Sequence, residues 1–155
     1  MKFVISDHIS LKEAIRSNTA ERLGINNFPS SEVLATMQTT AEKVFEPLRI
    51  WAGSPIYISS FYRSPELNKA IGGSTKSQHC KGEAIDIDDI YGNLKNVDYF
   101  NFIKDNLEFD QLIWEFGDDN SPAWVHVSYS DANNRNRVLK AIKENGKTKY
   151  IIWNQ

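Results

Sequence analysis

The chain has 155 residues, 41% hydrophobic and 25% charged, a balance that fits one globular domain over residues 1–155 with its own core. A net charge of −2 and the lack of a dense Lys/Arg tract exclude nucleic acid as an expected partner. The single cysteine, Cys80, excludes an intramolecular disulfide and a zinc cluster built from cysteines. We expect a monomer.

The sequence contains no apolar run long enough to span a bilayer, so we expect no membrane insertion. Residues 1–8 lack the apolar core and cleavage site of a secretory signal. We therefore expect the protein to be made in the cytoplasm. A target outside the membrane would require another factor to release it.

The first third of the chain is predicted to be helical. Ser10 and Glu13 fit a capping box for a short helix to about Arg16, and residues 18–24 form another helical turn. Pro47 is expected to kink or end a longer, core-packed helix. That helix is predicted from apolar residues at helical spacing, namely Val33, Leu34, Met37, Ala41, Val44, Phe45 and Leu48.

A strand is predicted at residues 56–60, followed by a helix with Ser64 as N-cap, Pro65 in its first turn and Gly72 at its end. Arg63 then lies at the strand-to-helix corner. An arginine at such a corner can bind a carboxylate or stabilise an oxyanion. The alternative is a surface arginine paired with a nearby Glu.

The segment from Ser77 to Asp86 contains half of a candidate metal site. His79 offers an imidazole nitrogen and Asp86 a carboxylate, and both suit a catalytic zinc ion held by three protein ligands. Gly82 permits a sharp turn, and alternating polarity over residues 84–88 predicts a strand. A third ligand must come from elsewhere.

The remaining chain is predicted to contain a helix over residues 97–106 and strands over 109–115 and 124–129, which could pair antiparallel. Asn145-Gly146 is a strong hairpin signal. Its flanks are Arg137 to Glu144 and Lys147 to Trp153. A helix remains an alternative for the first flank, because its apolar residues also fit that period.

His126 is the candidate for the third ligand. Strand alternation places it on one face together with Trp124 and Ser128, so it could project rigidly into a cleft. Taken alone, a strand histidine of this kind is more often a hydrogen-bonded structural residue than a ligand.

The combination of Arg63, Ser77-x-His79-x-x-Gly82-x-Ala84-x-Asp86 and Trp124-x-His126 resembles the zinc D-alanyl-D-alanine peptidases, a family that includes phage L-alanyl-D-glutamate endopeptidases. The resemblance covers about residues 57–128. It implies the α+β fold shared with the hedgehog signalling domain, a central antiparallel sheet with flanking helices. It also implies Zn²⁺ held by His79, Asp86 and His126, with Arg63 facing a bacterial cell-wall peptide as substrate.

The catalytic base is not where many members of that family have it. They place Glu or Asp three residues before the last histidine, a position occupied here by Ala123. Glu115 is our replacement, because it ends a strand that could bring it beside His126. Its Trp-Glu-Phe-Gly context is similar to that of the phage and prophage branch. Asp118 and Asp119 remain alternatives.

The predicted activity is hydrolysis of a peptide bond in peptidoglycan by metal-activated water, with Glu115 transferring protons and Arg63 stabilising the oxyanion. Ser77 is expected to orient the motif or contact substrate, and Trp124 to line the cleft or the core. Asp88 could hydrogen-bond a metal-ligating side chain on the side away from the metal, or it could cap a turn. Cys80 is expected to be an idle thiol.

Several functions remain open at this point. The enzyme could be a carboxypeptidase, with Arg63 reading a terminal carboxylate, or an endopeptidase with an open cleft. A phage endolysin that reaches the cell wall after the membrane is opened fits either activity. The main rival is a noncatalytic, zinc-bearing wall-binding or phage structural protein, and a weaker alternative is a dipeptidase for small D-amino-acid substrates.

Overall fold

The computed structural model describes residues 3–154. Its six α-helices are α1 (Leu11–Ile15), α2 (Asn18–Leu23), α3 (Ser31–Thr40), α4 (Glu46–Ala52), α5 (Pro65–Ala70) and α6 (Asn96–Asn106). Its eight strands are β1 (Val4–Ser6), β2 (Ile9–Ser10), β3 (Tyr57–Ser60), β4 (Ala84–Asp88), β5 (Gln111–Glu115), β6 (Trp124–Ser128), β7 (Arg137–Glu144) and β8 (Lys147–Ile152). None of the helices in this part of the chain has the length and apolar character needed to cross a membrane.

The N-terminal helices begin where their caps predict. Ser10 and Glu13 form a reciprocal capping box at the start of α1, and Gly24 in the left-handed conformation closes α2. The small β1–β2 hairpin that precedes α1 was not predicted. Strands of two or three residues are too short to show a periodicity of their own.

Pro47 does not end the helical run. A π-helical segment, Ala41–Phe45, joins α3 to α4, and the helical run continues to Ala52 before Gly53 closes it. Because proline has no N–H, the carbonyl one turn earlier loses its usual donor. The wider π turn lies directly before the proline, which is a common way to accommodate an irregularity in a helix.

The main sheet has six strands in the order β3-β4-β6-β5-β7-β8. Every neighbouring pair is antiparallel except β5 and β7, which run parallel. The α+β prediction and its sheet with flanking helices are therefore confirmed. The parallel pair is an addition to the antiparallel sheet that we expected.

The two faces of the sheet have different roles. One face packs on α3, α4 and α6 and holds the core, which includes Ile85, Ile87, Leu112, Trp114, Val125, Val127, Phe45, Leu48, Phe100 and Ile103. The residues between them in sequence point to the other face, since side chains alternate along a strand. This second face carries the polar side chains of the candidate site.

The C-terminal segment forms the predicted hairpin around Asn145-Gly146, both with positive φ. Residues 137–144, for which a helix was an alternative, form β7. Hydrogen bonds to β5 on one side and to β8 on the other satisfy the backbone N–H and C=O groups of β7. This pairing outweighs the helical spacing of its apolar residues.

Candidate metal centre

Asp86 and His126 lie directly opposite each other on β4 and β6, and Ile113 on β5 is the next residue in the same row. These strands are in the middle of the sheet, with neighbours on both sides, so their side chains are held rigidly. His126 Nδ1 lies 3.0 Å from Asp86 Oδ1. The two residues thus present donors at the open face of the sheet.

His79 reaches the same point from a 3₁₀ turn, Gln78–Lys81. Ser77 caps that turn, because its Oγ accepts the N–H of His79 at 3.2 Å. Gly82 ends it with φ +74°, and a Cβ there would lie 2.6 Å from the Met37 side chain on α3. The turn is therefore packed closely against the helical layer, which fixes the His79 backbone.

The donors of the three residues fit a metal ion. His79 Nδ1 donates to the Phe61 carbonyl at 2.7 Å, so Nε2 keeps its lone pair. Nε2 is buried without a hydrogen-bond partner among the described residues, and it lies 3.3 Å from Asp86 Oδ2. Tetrahedral zinc ligands at about 2.0–2.2 Å stand roughly 3.3–3.6 Å apart, close to these separations.

The protonation state of Asp86 also suits a ligand. Burial opposes the charged form, but the adjacent His79 and His126 outweigh it and hold the pKa of Asp86 well below its usual range. Asp86 is therefore a carboxylate at neutral pH. Two imidazoles and one carboxylate, with all donor atoms within 4.8 Å of one another, can hold a metal ion.

Glu115 lies on the neighbouring row of the same face, opposite Trp124, which places it diagonally across from His126. Only 6% of Glu115 is exposed, and burial raises its pKa to about 7. Asp118 and Asp119, the alternative bases, are exposed and lie outside the residues that line the cleft. The geometry therefore favours Glu115 as a proton carrier.

Arg63 occupies the predicted corner between β3 and α5. Its backbone N–H donates to the His79 carbonyl at 3.2 Å, which connects the corner to the Gln78–Lys81 turn. Asn27 fixes the next residue, since its Oδ1 accepts the N–H of Ser64 at 2.7 Å. The Arg63 guanidinium donates to Asn68 through Nη1, and its buried Nε has no partner among residues 3–154.

The open face of the sheet forms a cleft of about 620 Å³. The three candidate ligands, His79, Asp86 and His126, line it together with Arg63 and Glu115. Ser77 and Trp124, the predicted substrate contacts, also line it. The Trp124 ring packs against Phe116 with centroids 5.4 Å apart. Residues that we did not predict complete the wall, namely Lys76, Gln78, Gln111, Arg137, Leu139, Thr148 and Tyr150.

Tyr150 is the clearest of these omissions. It pairs with Ala141 on β7, which pairs with Glu115, so all three residues share one row. Tyr150 is 54% exposed, but partial desolvation in the cleft raises its pKa, and the Glu115 and Asp86 carboxylates raise it further. The hairpin that contains β8 was predicted from Asn145-Gly146. Its place beside the site depends on the parallel β5–β7 pairing, for which the sequence gives no local signal.

Other polar residues singled out in the sequence lie elsewhere. Asp88 accepts from Asn96 Nδ2 at 2.8 Å and supports a loop rather than a histidine ligand. Cys80 is half-buried, and burial raises the pKa of its thiol, which agrees with an unreactive cysteine.

The fold and the site together define a chain with a rigid His-Asp-His centre in an open cleft. The profile of the family described as Peptidase M15 matches residues 7–128, more than three quarters of the chain. The protein belongs to the Peptidase M15 family. Comparison with curated proteins gave no match.

Proposed function

We propose that this protein is a zinc-dependent peptidase that hydrolyses a peptide bond in the stem peptides of bacterial peptidoglycan. Membership of a peptidase family supports hydrolysis as the reaction. The observation that carries the proposal is the His79, Asp86 and His126 cluster on the floor of the cleft, with the buried Glu115 on the adjacent row. The wall peptide remains the substrate implied by the sequence resemblance.

Zn²⁺ held by these three residues would supply a Lewis acid that polarises a carbonyl and makes a water molecule more acidic. Glu115 accepts a proton from the attacking water and passes it to the nitrogen of the leaving amine as the C–N bond breaks. A pKa near 7 suits both halves of this transfer. The Arg63 guanidinium stabilises the negative charge on the carbonyl oxygen.

The test uses purified peptidoglycan, added zinc and three proteins, wild type, His126→Ala and Glu115→Gln, with released amines and bound zinc measured separately. We expect Glu115→Gln to keep its zinc and to lose at least about 100-fold in rate, because general acid–base catalysis supplies this much. His126→Ala should lose both zinc and activity. Asp119→Asn serves as a matched control at an exposed carboxylate and should act like the wild type.

Full activity in Glu115→Gln would show that another group carries the proton. Failure of the zinc-loaded wild type to release amines from several chemical types of wall would refute the enzyme proposal. Ala123, at the position where relatives place an acid, favours the rival in that case, a noncatalytic zinc-bearing protein that binds the wall.

A further inference from the structure

A second cavity of about 390 Å³ lies on the other side of the metal centre from the main body of the cleft. Residues from the start of α2, from β3 and from α5 line it. The cleft and the second cavity share three residues, Arg63, Asp86 and Trp124. The two cavities therefore adjoin at Arg63 and Asp86, and space for a bound chain extends on both sides of these residues.

The lining of the second cavity is mixed. Hydroxyl groups come from Ser17, Thr19, Ser59 and Ser60, and Leu67, Ile71 and Trp124 add apolar walls. Arg16 supplies positive charge and is held by a hydrogen bond to the Ile58 carbonyl at 2.8 Å. Asp86 is the sole carboxylate among the described lining residues. Such a surface suits a polar chain that carries peptide groups and carboxylates.

Arg63 stands where the two cavities meet. A carboxypeptidase needs a closed end, with a cation placed to bind the terminal carboxylate just beyond the scissile bond. Here the space for a bound chain continues past Arg63, so this guanidinium faces the middle of that chain. The position fits a contact with the reacting carbonyl better than a contact with a chain end.

We propose that the enzyme is an endopeptidase that binds substrate residues on both sides of the scissile bond, one arm in the cleft and the other in the second cavity. This inference rests on the proposed peptidase function. The bond that it cuts is an internal bond of a stem or cross-linked peptide.

The experiment fills the second cavity with a bulky side chain. Thr19 lies on α2, is half-buried and has no side-chain hydrogen bond within the described part of the chain, so Thr19→Trp narrows the cavity without removing a cap. Asn18→Trp is a second variant on the same wall. Glu21→Trp, on the same helix but outside the lining, is the matched control.

Zinc-loaded proteins are incubated with a free stem pentapeptide and with two stems joined by a cross-link, and the products are identified by mass spectrometry. We expect the wild type and Glu21→Trp to cut an internal bond, so that the C-terminal product contains two or more residues. Thr19→Trp and Asn18→Trp should slow this cleavage about tenfold or more, because a filled subsite excludes one arm.

Release of only the single C-terminal residue by the wild type, with Thr19→Trp and Asn18→Trp equally active, would overturn the endopeptidase assignment and leave the peptidase proposal intact. Absence of any product from the zinc-loaded wild type would refute both. Zinc content and circular dichroism of each variant show whether a loss of rate reflects the cavity or a loss of fold.

Discussion

The position of the Arg63 side chain depends on one buried amide, that of Asn68. Asn68 Oδ1 accepts from Arg63 Nη1 at 3.2 Å, while its Nδ2 donates to the Ser74 carbonyl at 2.7 Å. Gly73 leaves room for this arrangement, because a Cβ there would lie 2.1 Å from Asn68 Oδ1. The guanidinium is thus aimed by a residue that need not touch substrate.

We expect Asn68→Ala to lower kcat/KM by roughly 10- to 100-fold through misplacement of Arg63, while zinc binding stays at the wild-type level. Gly73→Ala should cause a similar loss, because its methyl group displaces the same amide. Lys69→Ala, at the exposed neighbouring position, is the control. Steady-state kinetics on a peptide substrate give the result, and wild-type kinetics in both Asn68→Ala and Gly73→Ala would contradict it.

At the scale of elements, Asn96 joins the start of α6 to the end of β4 and to the loop between β5 and β6. Its Nδ2 lies within 3.3 Å of Asp88 Oδ1 and of the carbonyls of Pro122 and Ala123. Asn96 is 2% exposed, so water cannot replace these bonds readily. The amide holds the segment that leads into the His126 strand.

Asn96→Ala should therefore lower the free energy of unfolding by about 2 kcal/mol, because it leaves buried acceptors without a donor. Urea denaturation followed by circular dichroism measures the change. Asn101→Ala, at an exposed position of the same helix, should change stability by less than about 0.5 kcal/mol. Equal stability of the two variants would show that this junction is not needed.

A second junction predicts a pH dependence. The Arg135 guanidinium donates two hydrogen bonds to Asp110, both at 2.8 Å. These bonds are the main reason why the pKa of Asp110 is lowered to about 2. Gln78, next to His79, also donates to this carboxylate at 2.9 Å. Asp110 therefore connects the segment after β6 to the Gln78–Lys81 turn.

Because the folded pKa of Asp110 lies below the unfolded value near 4, its contribution is complete above about pH 4 and is lost as the pH falls toward 2. We expect this contribution to be on the order of 1–2 kcal/mol. Unfolding free energies of wild type and Asp110→Asn between pH 2 and 6 measure it. The difference between the two proteins should shrink at low pH, and a difference that stays constant would contradict the assignment.

Local signals in the sequence predicted most of these elements, since caps, glycine turns and alternation act over a few residues. Ser10, Ser64 and Asn145-Gly146 each begin or connect an element where expected. The π segment before Pro47 was not predicted, because the tertiary packing of α3 and α4 decides between ending and continuing a helix. A helix was an alternative for β7 because its pairing with β5 and β8 depends on residues far away in the sequence.

In the candidate site, too, the sequence predicted some of the residues and missed others. His79, Asp86 and His126 could be predicted as a group because their order and spacing resemble the motif of the zinc D-alanyl-D-alanine peptidases. Residue type alone left a structural role open for His126. Glu115 was predicted from strand pairing and from its Trp-Glu-Phe-Gly context. Asn27, Asn68 and Tyr150 were missed, since each acts through a contact between segments far apart in sequence.

At the scale of the whole molecule, the candidate ligands come from a turn and two strands, so a bound ion connects three segments of the folded chain. Zinc at 100 times its Kd should add about 2.7 kcal/mol to stability. For a chain of this length we expect Tm to rise by about 5–10 °C. Thermal unfolding with zinc and with a chelator tests this, and His126→Ala should show little zinc dependence. A wild-type Tm that does not respond to zinc would contradict the metal site.

The family profile ends at Ser128, yet β7 and β8 follow it and supply Arg137, Leu139, Thr148 and Tyr150 to the cleft wall. The candidate ligands and proton carrier therefore lie in one stretch of sequence, and one side of the cleft lies in another. Substitutions on this hairpin can therefore change the cleft wall while the candidate ligands and Glu115 keep their identities. Grafting hairpins from relatives onto this chain is thus a practical way to test whether this wall selects the peptide that binds.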